Sequence, residues 1–328
     1  MKKLVFIGID ISKLTLDVSI KAKKKESFVI NNDNKSITKF FKTHLKDNQL
    51  EFHICIENTG RYSWKLMRLL PEMNCIFYVV NPLHMKKSMG LTRGKSDKID
   101  AERIASFIEK NYTDTEPFIT RRKEIVQLQI LLSERNSKVK QRSKISVQSQ
   151  EHTILNDKKL QKELISLNNQ LIKLLNKQII LLEKQIKLLI KNDAKMAQTT
   201  SLLKTMPGVG DIICWNLLIK TNEFKSIREP RKLACYAGVA PFSNTSGTSV
   251  FGKNRVSVYA DRSLKKLLHL GAMSAIRHEN DFQIYYLRKV EEGKNKMSVL
   301  NAVRNKIVHT AFALIKNQKP FVNRLVLS

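Results

Sequence analysis

The chain has 328 residues, 42% of them hydrophobic, so it holds enough apolar material for two or three domains with real cores. Its 59 lysines and arginines exceed its 29 aspartates and glutamates, which gives a formal net charge of +30. This surplus predicts a polyanionic partner, above all nucleic acid, with a ribosome-associated or membrane-surface protein as the alternative. No apolar run reaches membrane-spanning length. Four scattered cysteines without a CxxC pair indicate neither a zinc site nor a disulfide framework, and they fit a reducing cytoplasm best.

Strand-like runs alternate with helical patterns through residues 1–118. Residues 4–20 predict two strands joined by a turn at Ser12-Lys13, and two further apolar runs end at Glu57 and at Asn81-Pro82. The helical patterns cover 36–46, 61–70 and 97–110. This alternation predicts an α/β sheet domain.

Four acids stand at marked positions of this domain. Asp10 and Glu57 end predicted strands, while Asp97 and Asp100 share one face of a predicted helix. Because sites in α/β sheets gather at the carboxyl ends of strands, we expect the four to meet there. Carboxylates repel one another unless a cation lies between them, and oxygen ligands suit Mg²⁺ or Mn²⁺, which can activate a nucleophile at a phosphodiester.

Each acid also has a simpler interpretation. Asp10 can be a strand-end residue, and Asp97 can be the N-cap of its helix with Asp100 three residues later. "GIDISK" also suits the phosphate turn of actin-like sugar kinases, but the glycine-rich loops that such a kinase needs do not follow. The ordered set of four is what favours a metal site.

Residues 119–200 form the second predicted region, a long helical arm. No glycine or proline occurs from 124 to 200, and apolar residues recur at spacings of three and four. They are Leu160, Leu164, Leu167, Leu171, Leu175, Ile179, Leu182, Ile186 and Leu189. The stripe predicts either a coiled coil between chains or a helical hairpin packed on its own chain.

Residues 201–328 form the third region, which is predicted to be mainly α-helical. Its turn Pro207-Gly208-Val209-Gly210 lies between two helical patterns and resembles that of a helix-hairpin-helix. Backbone amides at Gly208 and Gly210 would then hold a phosphate of DNA. A plain glycine-rich connection is the alternative.

Several motifs together resemble the DEDD transposases of the insertion-sequence-110 family, which also contains the Piv-type DNA invertases. They are "GIDISK", "CIENTGRY", "VVNPLHMKKSMG", "GKSDKIDAERIA", "LLKTMPGVG", "RKLACYAGVAPFSNTSGTS" and "LKKLLHLGAM". The resemblance spans nearly the whole chain. It implies that the first domain is RNase-H-like and similar to the RuvC resolvase, and that the acids Asp10, Glu57, Asp97 and Asp100 bind Mg²⁺.

The resemblance also implies a serine nucleophile in the third region. The matching residue is Ser246, which precedes Gly247. This chain reads "TSGTS" where relatives often read "SSGG", and Ala260 stands in place of a usual glycine, so Ser243 and Ser249 remain rival nucleophiles. The simpler interpretation of all three serines is a polar loop that contacts phosphate.

The family further implies a noncoding bridge RNA that pairs with donor and target DNA, and a homodimer that forms a tetramer on DNA. Candidate phosphate contacts are Lys86, Lys87, Arg93, Lys95, Lys253, Arg255, Arg262, Lys265 and Lys266. Most of these could equally be solvated surface charges.

The sequence thus predicts a bridge-RNA-guided transposase, located in the bacterial cytoplasm with the nucleoid. It would cut DNA with a serine and a Mg²⁺-dependent acidic site. A Piv-like site-specific invertase has the same parts. A RuvC-like nuclease that uses water predicts that every serine is dispensable, and a nucleic-acid-binding repressor without catalysis is the non-enzyme alternative.

Overall fold

A computed structural model describes residues 2–22, 24–58, 60–88, 96–246 and 250–323, and only the backbone of 243–246 and 250–254. The chain divides into two compact units, Met1–Thr120 and Arg121–Ser328. The finer division into three regions stays a prediction. Among the described residues, no helix combines the length and the apolar character needed to cross a membrane.

The first unit has the alternating elements that the sequence predicts. Its strands are β1 (Lys3–Ile11), β2 (Thr15–Lys21), β3 (Lys25–Asn31), β4 (Leu50–Glu57) and β5 (Ile76–Val80). Its helices are α1 (Asn34–His44), α2 (Trp64–Leu69), α3 (Pro82–Ser88) and α4 (Asp97–Asn111), with 3-10 turns at Gly60–Ser63 and Leu70–Glu72. Sequence analysis missed β3, which is largely exposed and carries charge, and the short helix α3.

The five strands form one mixed sheet in the order β3-β2-β1-β4-β5. The predicted hairpin at Ser12-Lys13 is confirmed, because β1 and β2 are antiparallel and Ile11 pairs with Leu16. β3 extends this antiparallel half, while β4 and β5 run parallel to β1. Such a sheet, followed by a helical region, is compatible with the RNase-H-like fold that the resemblance implies.

The two faces of the sheet carry different cores, since successive side chains of a strand point to opposite sides. On one face Ile7 and Ile9 of β1 pack in a cluster that includes Phe41 of α1. On the other face Phe6 packs in a cluster with Ile104 of α4. Helix α4 therefore covers the face that carries the even-numbered residues of β1.

The second unit is mainly helical. Its helices are α5 (Lys123–Glu151), α6 (Lys158–Lys191), α7 (Ala194–Lys204), α8 (Asp211–Thr221), α9 (Pro230–Tyr236), α10 (Arg262–Ala275), α11 (Asp281–Glu291) and α12 (Lys296–Asn317). Two strands, β6 (Pro241–Ser246) and β7 (Val250–Val256), form an antiparallel hairpin that sequence analysis did not predict. The hydrophobic core of this second unit surrounds Trp215, a residue that is 1% exposed.

Helices α5 and α6 pack against each other in opposite directions. Arg135 binds Glu183 at 2.8 Å, and Arg142 donates from Nη1 to the Asn176 side chain at 2.9 Å. Between these two pairs the chain advances seven residues along α5 and goes back seven along α6. The arm is thus packed on its own chain, whereas a coiled coil between chains stays a prediction.

The base of this hairpin carries an ion cluster built on the buried carboxylate of Glu223. Arg122 binds Glu223, whose side chain is 1% exposed, and lies 2.7 Å from Asp193. Glu223 lies between Asn222 and Phe224, and all three have left-handed backbone angles that cost free energy in residues other than glycine. The ion pairs to Arg122 help to hold this segment in place.

Candidate active site

Asp10 and Glu57 lie side by side at the carboxyl ends of two neighbouring parallel strands. The register pairs Ile9 of β1 with Ile56 of β4, so that the two acids occupy the next position on each strand. Glu57 shares its strand face with Cys55, which belongs to the cluster under α4. Both carboxylates therefore project on the side of the sheet that α4 covers.

Gly8 is what allows α4 to lie so close to β1. A Cβ at this position would fall 2.2 Å from the carbonyl oxygen of Ala101 and from the amide nitrogen of Ala105. At the far end of α4, Glu109 binds Lys21, which pairs with Phe6 near the start of β1. The amino-terminal end of α4 consequently lies towards the other end of β1, where Asp10 stands.

Asp97 and Asp100 lie in the first turn of α4. The N-cap is Ser96, whose hydroxyl accepts from the amide of Ile99, so the alternative interpretation of Asp97 as N-cap is wrong. Asp97 is exposed, and Asp100 accepts a hydrogen bond from Arg103 at 2.8 Å. Because Ser96 caps the helix, neither carboxylate is needed as its N-cap.

The four predicted acids act on one another electrostatically. Burial raises the pKa of Asp10 to about 6 from an ordinary 3.8, and the negative charge of Asp97 adds to the effect, with smaller contributions from Asp100 and Glu57. The Ile11 amide, which hydrogen-bonds Asp10, opposes the shift. The negative charges of Asp97, Asp100 and Glu57 thus all act on Asp10.

Asp17 is a fifth acid at this place, and sequence analysis missed it. It lies directly opposite Asp10 in the β1–β2 register, so that both side chains project from the same face. Burial and the charge of Asp97 raise its pKa. The signal was available, because a hairpin centred on Ser12-Lys13 brings these two positions together.

The donor set fits a hard divalent cation, since all its members are carboxylates. Among the described residues, however, no group of three or more acidic, histidine or cysteine side chains is already arranged to hold an ion. Burial, and then the negative charges of Asp97, Asp100 and Glu57, raise the pKa of Asp10, as expected for acids with no cation between them. Asp10, Glu57, Asp97 and Asp100 are the residues that would hold the metal.

Ser246 is the last residue of β6, where it pairs with Val250 across the hairpin. Ser243 lies within β6, while Ser249 and Gly247 fall outside the described residues, so the structure does not choose among the three serines. Two residues before β6, the carbonyl of Val239 accepts a hydrogen bond from the Asn301 side chain of α12 at 2.9 Å.

Ala260, the departure from the family pattern, lies against Gly238 in the same region. Gly238 has a φ of +64°, and a Cβ there would fall 2.4 Å from the Cβ of Ala260. The next residue, Asp261, caps α10 by accepting from the Leu264 amide and also binds Lys220 at 2.6 Å. Ala260 is therefore accommodated because its neighbour has no side chain.

The predicted basic contacts are spread over both units. Lys86 and Lys87 are exposed at the end of α3, and Arg262 and Lys266 are exposed on the first turns of α10 beside the partly buried Lys265. Arg255 is exposed on β7, where only the backbone of Lys253 is described, and Arg93 and Lys95 lie outside the described residues. Gly208, with a φ of +78°, and Gly210 form the connection between α7 and α8.

A mixed sheet with carboxylates at its central strand ends, followed by a helical unit, defines a class of protein compatible with the RNase-H-like transposases. Two family models match the chain: the DEDD transposase of IS110 over residues 7–157, and the transposase of the IS116/IS110/IS902 family over residues 200–287.

Curated relatives agree with these matches. The chain is 27% identical to the pilin gene-inverting proteins of Moraxella bovis and Moraxella lacunata, over 98% of each chain. It is 28% identical to an IS110 protein of Streptomyces coelicolor over 38% of this chain and 30% of that protein. The chain belongs to the IS110 family of transposases, and it is a DNA transposase or recombinase.

Proposed function

We propose that this chain is a bridge-RNA-guided transposase of an insertion sequence, which cuts and rejoins DNA through a serine nucleophile and a Mg²⁺-dependent acidic site. The observation that supports the proposal is that Asp10 lies beside Glu57 at the strand ends and is acted on by the charges of Glu57, Asp97 and Asp100. An acidic cluster in a chain of net charge +30 is expected where a cation and a phosphate must be held together.

In this mechanism the hydroxyl of Ser246 attacks a phosphorus of DNA. The bond from the serine oxygen to phosphorus forms while the bond to one strand end breaks, and the serine proton leaves as the released end gains one. Mg²⁺ held by the acidic site would stabilise the negative charge that develops on the phosphate oxygens. Attack by another strand end on the serine ester rejoins the DNA without an external energy source.

A site-specific invertase is the second candidate, because two relatives that align over 98% of the chain are named gene-inverting proteins. The chemistry would be the same, and only the arrangement of the recombining sites would differ. A plasmid with two inverted sites and a plasmid pair with separate donor and target sites distinguish the two. Inversion without insertion would favour the invertase.

The proposed assembly is a homodimer that forms a tetramer on DNA. Five leucines on α6 recur every seven residues and are 44–61% exposed, which supports packing against another chain. They are Leu160, Leu167, Leu174, Leu181 and Leu188. A monomer that cleaves with full activity at low concentration would contradict this assembly.

The decisive experiment searches for a covalent protein–DNA adduct. Purified protein is incubated with its flanking RNA, labelled donor DNA and Mg²⁺, and the adduct is detected as a protease-sensitive shift in a denaturing gel. Ser246→Ala is compared with the matched variants Ser243→Ala and Ser249→Ala, and Asp97→Asn tests the acidic site. We expect the adduct to be lost in Ser246→Ala, in Asp97→Asn and in EDTA, and to persist in the other two serine variants.

Each alternative gives a different pattern. Cleavage in every serine variant without an adduct refutes the serine mechanism and supports a nuclease that uses water. DNA binding without any cleavage in the presence of RNA and Mg²⁺ or Mn²⁺ supports a repressor. Equal adduct formation with and without the flanking RNA refutes the guide role of the RNA but leaves the serine mechanism in place.

A further inference from the structure

A basic cavity lies in the second unit, among the end of α6, helix α7 and the start of α8. Its volume is about 580 Å³. The charged and polar residues that matter for its chemistry are Lys187, Lys191, Thr200, Lys204 and Asp211. None of the predicted catalytic residues lines it, and the predicted phosphate-binding Gly210 directly precedes Asp211 at its edge.

The charges of this cavity do not balance. Asp211 accepts a hydrogen bond from Lys204 at 2.7 Å and lies 3.4 Å from the Nζ atom of Lys187. Lys191 has no ion-pair partner among the described residues. Three ammonium groups therefore face one carboxylate, and the local surplus of positive charge favours an anion.

The cavity also has hydrogen-bonding capacity that the protein does not use. Thr200 is 8% exposed, and its hydroxyl is buried without a hydrogen-bond partner. A buried hydroxyl of this kind is unfavourable unless an acceptor reaches it. At the start of α8 the N-cap is Gly210, which has no side chain to cap the first amides of the helix.

The geometry points to a binding site for a phosphodiester of a nucleic-acid backbone. Lys191 supplies the unpaired charge, the hydroxyl of Thr200 donates to a phosphate oxygen, and the uncapped start of α8 favours a negative group. Lys187 and Lys204 stay paired with Asp211 and add to the positive field. This inference rests on the proposed function, since it assumes that the chain works on nucleic acid, and it adds contacts from α6 and α7.

The test measures binding of the full chain to a labelled DNA duplex and to a labelled single-stranded RNA, in EDTA, from 50 to 300 mM salt. Lys191→Gln should weaken binding about fivefold at physiological salt, because one phosphate contact is lost. It should also reduce the slope of log affinity against log salt by about 0.9 for the duplex or about 0.7 for the single strand. Lys294→Gln, which removes an exposed lysine outside the cavity, is the matched control and should leave the slope unchanged.

Thr200→Val separates a binding role from a structural one. Valine has nearly the same shape and removes the hydroxyl that has no partner. We expect the melting temperature of the free protein to rise while nucleic-acid binding weakens about threefold. A purely structural threonine would change the melting temperature alone.

The outcomes are distinct. A slope change in the DNA arm or in the RNA arm supports the site and identifies which nucleic acid supplies the phosphate. Wild-type affinity and slope in both arms for Lys191→Gln and Thr200→Val overturn it. The adduct assay is run on the same wild-type preparation: absence of an adduct counts against the proposed function only, whereas normal adducts with unchanged slopes count against this site only.

Discussion

Asp10→Asn should make the protein more stable at neutral pH while it abolishes DNA cleavage. In the folded chain the pKa of Asp10 is about 6, because burial and then the charge of Asp97 disfavour ionisation, whereas its ordinary value is 3.8. At pH 7 the side chain is ionised in both the folded and the unfolded state. The shift corresponds to about 3 kcal/mol, which we reduce to about 1–3 kcal/mol because the carboxyl is only half-buried.

The sign of this effect determines its pH dependence. A raised pKa in the folded state means that the folded protein binds the proton first as the pH falls. Wild type therefore regains stability between about pH 6 and pH 4, and the advantage of the asparagine variant disappears below the unfolded value of 3.8. Urea unfolding in EDTA at pH 7, 5.5 and 4 measures this difference. An asparagine variant that is no more stable at pH 7, or whose advantage does not change with pH, would refute the reasoning.

Three further variants test the packing and the ion pairs. Gly8→Ala should destabilise the first unit by about 2–4 kcal/mol in thermal unfolding, because the new Cβ would overlap the backbone of α4. The control is Gly293→Ala, whose Cβ would meet no atom within 4 Å and which should show only the smaller cost of its positive φ. Arg122→Gln should cost about 2 kcal/mol in urea unfolding, because the buried Glu223 loses its hydrogen bonds to Arg122 and keeps its ion pair with Lys225. Adding Glu223→Gln should restore part of this loss, and no recovery would contradict the pairing. Burial alone would raise the pKa of Asp261, but hydrogen bonds, led by the one from Lys220, hold this pKa well below 3.8. Asp261→Asn should therefore lower the free energy of unfolding at pH 7, and the difference from wild type should be lost as the pH falls below about 4. A difference that does not depend on pH would refute this reasoning.

The meeting of Asp10 and Glu57 could be predicted because it depends on a rule of sheet architecture. Both residues follow apolar runs, and parallel neighbouring strands end at the same edge of a sheet. The hairpin at Ser12-Lys13 followed from alternation in the same way. Asp17 was missed because the predicted hairpin was not extended to its residue pairs, one of which joins Asp17 to Asp10.

Other features could not be read from local pattern. The edge strand β3 carries few buried residues, so its apolar signal is weak. The stripe on α6 predicted an apolar face but not its partner, because packing on α5 depends on pairs such as Arg135 with Glu183 that lie far apart in sequence. The cavity around Lys191 is lined by residues of three helices, and no sequence pattern within any one of these helices predicts it.

The acidic site and the overall charge of the chain act over different distances. At physiological ionic strength charges are screened beyond about 8 Å, so the surplus of +30 attracts nucleic acid to the surface without neutralising a local cluster of acids. Burial is the main cause of the raised pKa values of Asp10 and Asp17, and the negative charge of Asp97 adds to both. Among these acids Asp100 forms an ion pair with Arg103 at 2.8 Å, three residues later on the same helix. We expect a metal ion to supply the positive charge needed at Asp10, because a divalent ion carries twice the charge of a lysine and can bind several carboxylates and a phosphate oxygen at once.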